Sequence, residues 1–224
     1  MSPLTLSLLV ATAAMLLAVP PGLVTAWWLG TGRPFPGKSL VETLLTLPLV
    51  LPPTVVGFGL LLVLGQQTAL GRFLNDTLGV RLLLTWQAAA IASAIMAAPL
   101  FTRTAAAAFA AVDPDLLDAG RTLGASEGRL LFRVLIPLSY RGLLAGGTLA
   151  FARALGEFGA TLMVAGTIPG RTQTLPLSLY AAVQNGKNEA ALRDAVLLSL
   201  LAFALVGTIS LYTGTVATRR GERP

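Results

Sequence analysis

The first 32 residues, Met1 to Gly32, carry no charged side chain. A helix needs about 20 mostly apolar residues to cross the hydrocarbon core of a bilayer, and this run exceeds that length. Three further uncharged runs lie between Glu42 and Arg72, between Arg81 and Arg103, and between Asp194 and Arg219. The stretch from Gly142 to Gly166 is equally apolar except for Arg153 and Glu157. Lipid offers no partner for backbone N–H and C=O groups, so segments of this kind cross it as helices. The pattern predicts an all-α membrane protein with about five transmembrane helices, near 4–29, 42–65, 82–108, 142–166 and 192–216. They form one domain over 4–216, followed by a short tail, 217–224. The first run lacks the basic segment that precedes the apolar core of a secretory signal, and Trp27 and Trp28 suit a membrane–water boundary. It reads as a spanning helix.

Only 12% of the 224 residues are charged, with 16 Lys/Arg against 10 Asp/Glu. That charge density is too low for a groove tracking nucleic-acid phosphates, and the basic excess fits cytoplasmic loops instead. With the N-terminus outside, the inner segments hold Arg33, Lys38, Arg103, Arg121, Arg129, Arg133, Arg141, Arg219, Arg220 and Arg223. The outer ones hold Arg72, Arg81, Arg171, Lys187 and Arg193. Ten against five predicts N-out and C-in. The chain has no Cys and no His. Disulfides, thiolate nucleophiles, Cys/His metal sites and Ser-His-Asp triads are therefore excluded.

Residues 111–141 form a hydrophilic island on the predicted cytoplasmic side, with Asp113, Asp115, Asp118, Arg121, Glu127, Arg129, Arg133 and Arg141. Asp113-Pro114 is a helix start, Asp as N-cap and Pro in the first helical position. Leu116, Leu117, Ala119, Gly120 and Leu123 give that helix one apolar flank, and Gly124 stops it. A second helical stretch, Arg129 to Ile136, closes at Pro137. An ordered amphipathic helix held outside the bilayer is a docking surface for another protein. Gly124-Ala125-Ser126-Glu127-Gly128 matches a hydrolase nucleophile elbow in letters only, since no strand precedes it and no His can serve as base. Gly37-Lys38-Ser39 lacks the earlier Gly and the strand of a phosphate-binding loop. Gly142-Leu143-Leu144-Ala145-Gly146 suits close helix packing.

Asp118-Ala119-Gly120, then Gly124, then Val134, Ile136 and Pro137, resembles the EAA signature of ABC-transporter permeases in spacing throughout. Asp, Gly, Val and Ile stand where the family has Glu, Ala, Ile and Leu. Phe35-Pro36-Gly37-Lys38, Leu47 to Gly57, Ala152 to Ala160 and Ile168 to Thr174 extend the likeness over nearly the whole chain, to the molybdate permeases. Leu155-Gly156-Glu157-Phe158-Gly159 is shared with sulfate permeases. Some members carry a further N-terminal helix, and the likeness here starts without one. The resemblance implies a type I ABC importer permease fold and a homodimer. It also implies a cytoplasmic ABC ATPase docked on residues 111–137 and an extracytoplasmic protein delivering oxyanion, in a bacterial or archaeal cytoplasmic membrane. ATP and Mg would then sit on the ATPase, with no cofactor in this chain. The coupling candidates are Asp113, Leu116, Asp118, Ala119, Gly120, Arg121, Leu123, Gly124 and Pro137.

A charge inside a bilayer costs at least about 2.5–3.5 kcal/mol, so Arg153 and Glu157 stand out. Their spacing of four lets them pair on one helix face. Gly146, Ala150, Arg153, Glu157, Ala160 and Thr161 make a small-and-polar stripe, and Leu144, Phe151, Leu155, Phe158 and Leu162 a bulky one that suits lipid or apolar neighbours. Two readings of the pair stand: it glues helices together, or its stripe lines an anion path in which Glu157 holds Arg153 or a backbone turn. Pro48, Pro52 and Pro53 interrupt the second span, either as a packing kink or to free backbone groups near Thr54 and Gly57 along the path. Path candidates are thus Thr54, Gly57, Arg153, Gly156, Glu157 and Thr161. The competing function is an ion-coupled secondary transporter or channel using Arg153–Glu157 as a charge relay. An intramembrane enzyme would need polar catalytic groups that the spans lack, so a transport subunit is expected and not an enzyme.

Overall fold

The computed structural model describes residues 1–31, 36–77, 79 and 81–220, with the side chains of Leu74 and residues 209–220 outside the description. Arg33, Phe35, Arg223 and the side chains of Arg219 and Arg220, all used in the sequence reading, lie outside the described residues. Among the described residues the regular structure is helical throughout. Three helices among the described residues are long and apolar enough to span a membrane, α1 (Pro3–Gly30), α5 (Trp86–Ala110) and α12 (Asn188–Arg220, over Asn188–Thr208), or up to five spans if each of two bent helix pairs counts as one.

The core is α1 and α9 (Tyr140–Leu155) packed on α5. Ser2 caps α1 by accepting from Thr5 N at 3.2 Å, and Pro3 takes the first-turn place where its missing N–H costs nothing. Thr85 caps α5 in the same way. The buried face of α5 is mostly alanine: Ala88, Ala89, Ala90, Ala92, Ala94, Ala97 and Ala105. Its neighbours come correspondingly close. A Cβ on Gly142 would lie 2.5 Å from Ala108 Cβ, and one on Gly146 2.9 Å from Thr104 Cβ. The two glycines thus set the seam between α9 and α5, as small residues do where helices pack without a hydrophobic drive.

Several expectations need correction. The second span is two helices, α2 (Lys38–Val50) and α3 (Pro53–Leu64), bent by 110° at Leu51–Pro52, so Pro52 and Pro53 end one helix and start another instead of kinking a single rod. The fourth span also breaks: α9 ends at Leu155 and α10 (Gly159–Ala165) begins after Gly156–Phe158. Leu155, of the bulky stripe expected to face lipid or apolar neighbours, meets apolar neighbours in the core. The helix after α6 (Pro114–Thr122) does not stop at Pro137. It runs as α7 (Glu127–Leu130), a π turn (Leu131–Leu135) and α8 (Ile136–Leu138), one rod bent by 81° against α9. The wider turn closes just before Pro137, where an α ladder would lose its donor. Two short helices were not anticipated, α4 (Ala69–Asp76) and α11 (Leu175–Gln184), both too short for a spanning signal.

The chain between α10 and α12 folds onto the N-terminal end of α1. Leu175 N donates to the buried Ser7 Oγ at 2.7 Å, and the Met1 amino group donates to Gly170 O at 3.2 Å. Ser178 Oγ donates to the buried Asp194 at 2.6 Å and ties α11 to α12.

Candidate functional site

The structure places the two sets of candidate residues at separate sites. In the first, Asp113 caps α6 by accepting from Asp115 N at 3.0 Å, with Pro114 in the first turn. Gly124 ends the helix at φ +78°, where Gly124 N donates to Arg121 O and Ala125 N to Gly120 O. Only glycine takes that backbone conformation at no steric cost. The apolar residues do not share one flank. Leu117 is buried in the main core, and Gly120 sits against α7, where an added Cβ would meet Leu130 Cδ2 at 2.5 Å. Leu116 (51% exposed), Ala119 and Leu123 (88% exposed) turn outward. One side of α6 thus grips the bundle while the other shows leucine to the surroundings.

Arg121 joins this helix to the next. Its Nη1 donates to Asp118 at 2.6 Å, and its Nε and Nη2 donate to the two carboxylate oxygens of Glu127 at 2.7 and 3.2 Å. The Glu127 carboxylate, with help from Asp118, raises the pKa of the guanidinium above the ordinary arginine value, against the opposing effect of its partial burial. Pro137 is exposed at the far end of the rod, away from α6 in sequence. In the sequence reading Glu127 is only one charge of the island. Its position directly after a helix-capping Ser126, and six residues after Arg121, is the signal that points to its role.

The second site lies where the two broken spans meet. A Cβ on Gly57 would lie 2.8 Å from Ala160 Cα, and one on Gly159 would lie 3.0 Å from Pro53 Cβ and 3.4 Å from Thr54 Cγ2. α3 and α10 are therefore in backbone contact. Glu157, with its side chain 1% exposed, sits in the break. One oxygen accepts from Ala160 N at 2.8 Å and caps α10, and the other pairs with Arg153 Nη1 at 2.7 Å. The Arg153 side chain is 28% exposed, so the pair reaches from the interior to an edge. Thr161 is buried and donates to Phe158 O at 2.8 Å. Thr54 and Gly156 are exposed. Of the six path candidates the structure thus gathers Thr54, Gly57, Glu157, Arg153 and Gly156 around one junction, with Thr161 turned inward beside it.

Residues 8–220 match the family described as "Binding-protein-dependent transport system inner membrane component". The chain is 38% identical to the molybdenum transport system permease protein ModB of Escherichia coli (strain K12), covering 97% of this chain and 95% of that protein. It is 41% identical to ModB of Haemophilus influenzae, over 91% and 90%. It is 34% identical to the sulfate transport system permease protein CysW of Synechocystis, over 90% and 72%. Among solved structures, the inward-facing MetNI methionine ABC transporter shares the fold with a TM-score of 0.66 at 19% identity, over 93% of both chains. The fold is that of type I ABC importer permeases. A multi-pass helical bundle with this match over nearly its whole length belongs to the binding-protein-dependent inner membrane transport components.

Proposed function

We propose that this chain is the permease subunit of an ATP-driven importer for molybdate or a similar tetrahedral oxyanion, coupled to a separate ATPase through α6. The substrate class rests on the ModB relatives, which cover nine-tenths of the chain or more. The coupling rests on one observation: α6 is anchored by Leu117 and Gly120 yet turns Leu116 and Leu123 outward. Apolar side chains on a short, held helix are what a partner's groove takes in. ATP and Mg belong to that partner, and an extracytoplasmic binding protein supplies the anion. The subunit works as a homodimer, as the likeness to the permease family implies. The N-terminus lies outside and the C-terminus inside, following the distribution of basic residues.

The junction of α3 and α10 is the proposed anion path. α3 is a 12-residue half-helix that begins beside the break with Thr54 in its first turn and no side-chain cap, so its positive end is available. Arg153 adds a formal charge at the same place. Glu157 would repel an oxyanion, but its oxygens are taken by Ala160 N and Arg153, which makes it a support for the cation.

Molybdate uptake in proteoliposomes tests the reading. It should require ATP, the ATPase and the binding protein, and be inhibited by tungstate more than by sulfate. Leu123→Asp should abolish uptake and co-purification of the ATPase while leaving the protein inserted and folded. Uptake driven by an ion gradient without the ATPase would replace this reading with a secondary transporter.

A further inference from the structure

We propose that Arg121 is a positioning residue that welds α6 to the α7–α8 rod, so that a push on one is delivered by the other; this rests on α6 being the coupling element. α6 has nine residues, too few to hold its own shape or direction without tertiary support. The link to α7 is only Leu123 to Ser126, with Gly124 in the left-handed conformation and backbone bonds from Gly124 N to Arg121 O and from Ala125 N to Gly120 O. The two helices pack through Gly120 under Leu130, and Leu117 shares the buried core with Leu131. The directional tie across the turn is the guanidinium. Its three nitrogens are all engaged, two on Glu127 across the turn and one on Asp118 within α6. A planar fork bound at both prongs resists rotation, which a lysine ammonium in its place could not do.

The geometry also shows which way Arg121 works. Its side chain is 22% exposed and directed at this chain's own carboxylates, whereas Leu116 and Leu123 point outward. Arg121 therefore acts through Glu127, not by touching the ATPase. The rod it grips carries Leu131 and Leu135 into the main core, which also holds Phe109 of α5 and Ala150 of α9. Force received at α6 enters the spanning helices by that route as well as through Leu117.

The test is a double-mutant cycle on the assembled complex of permease, ATPase and binding protein, read as molybdate moved per ATP hydrolysed. Arg121→Gln and Glu127→Gln should each lower that ratio about tenfold, the scale set by losing charge-assisted bonding. The double variant should be no worse than either single one, because both remove the same weld. Arg121→Lys should fall between wild type and Arg121→Gln. If Arg121→Gln lowers the ratio and Glu127→Gln does not, Arg121 contacts the ATPase directly and the proposal fails. If neither changes it, no weld is needed and the proposal fails as well. The coupling reading itself stands or falls separately, on whether Leu123→Asp releases the ATPase.

Discussion

Replacing Gly57 by alanine probes the contact that joins the two broken spans. The new Cβ would lie 2.8 Å from the Cα and carbonyl oxygen of Ala160 and from Met163 Cβ. Carbon atoms settle at about 3.5–4.0 Å, so α3 would have to stand off by roughly 1 Å. α10 cannot yield instead, because Ala160, Val164 and Ala165 are buried against α5. Overpacking of this kind costs about 1–3 kcal/mol. Against that, alanine in a helix gains about 1 kcal/mol over glycine. Gly59, two residues further along α3, has nothing within 4 Å of its Cβ position and isolates that gain. Gly59→Ala should therefore be neutral or stabilising, and Gly57→Ala less stable than Gly59→Ala by about 1–3 kcal/mol. For a chain of this size that is a difference of about 2–12 °C in melting temperature. Thermal unfolding of the purified protein in one detergent, followed by fluorescence, reads it. Equal melting temperatures for the two variants would refute direct contact between α3 and α10.

Glu157→Ala removes the cap of α10 and the partner of Arg153 together, and should cost about 3–5 kcal/mol in thermal unfolding. Glu157→Gln keeps an acceptor for Ala160 N and should cost less, and Arg153→Gln combined with Glu157→Gln should be milder than Glu157→Ala. Ser178→Ala deprives the buried Asp194 of its hydroxyl donor and should cost about 1–3 kcal/mol, visible as faster proteolysis between α11 and α12. With no native cysteine to remove, Leu123→Cys should react with an impermeant maleimide only in inverted vesicles, and Arg171→Cys only in intact cells. The opposite pattern would reverse the assigned sidedness.

The spanning helices α1 and α5 were legible because hydrocarbon demands more than 20 residues in a row without charge, and few water-soluble helices meet that demand. The loop helix α6 was legible nearly to the residue, since Asp113, Pro114 and Gly124 are each chosen by backbone chemistry that local sequence displays. Its orientation was not. Periodicity groups Leu116, Leu117 and Leu123, but which of them meets the bundle is decided by where α5 and the α7–α8 rod stand. The break after Leu155 was hidden for a different reason. No proline marks it, and the capping Glu157 is spaced from Arg153 as in an unbroken helix. The ion pair was expected and does form, yet part of the carboxylate's work is to start a new helix. Pro52 showed that something happens in the second span, but a bend of 110° depends on what α3 packs against.

The alanine face of α5 has a mechanical consequence. Side chains that can change rotamer let a core absorb movement locally, one residue at a time. The buried alanines Ala88, Ala89, Ala90, Ala92, Ala94 and Ala97 have no such freedom, which leaves Ser93 and Met96 as the buried side chains of that stretch that do. Over its alanine-rich first half such a helix favours translation or tilt as a whole, like an axle without a clutch, so that opening and closing carry the partners packed there as intact pieces.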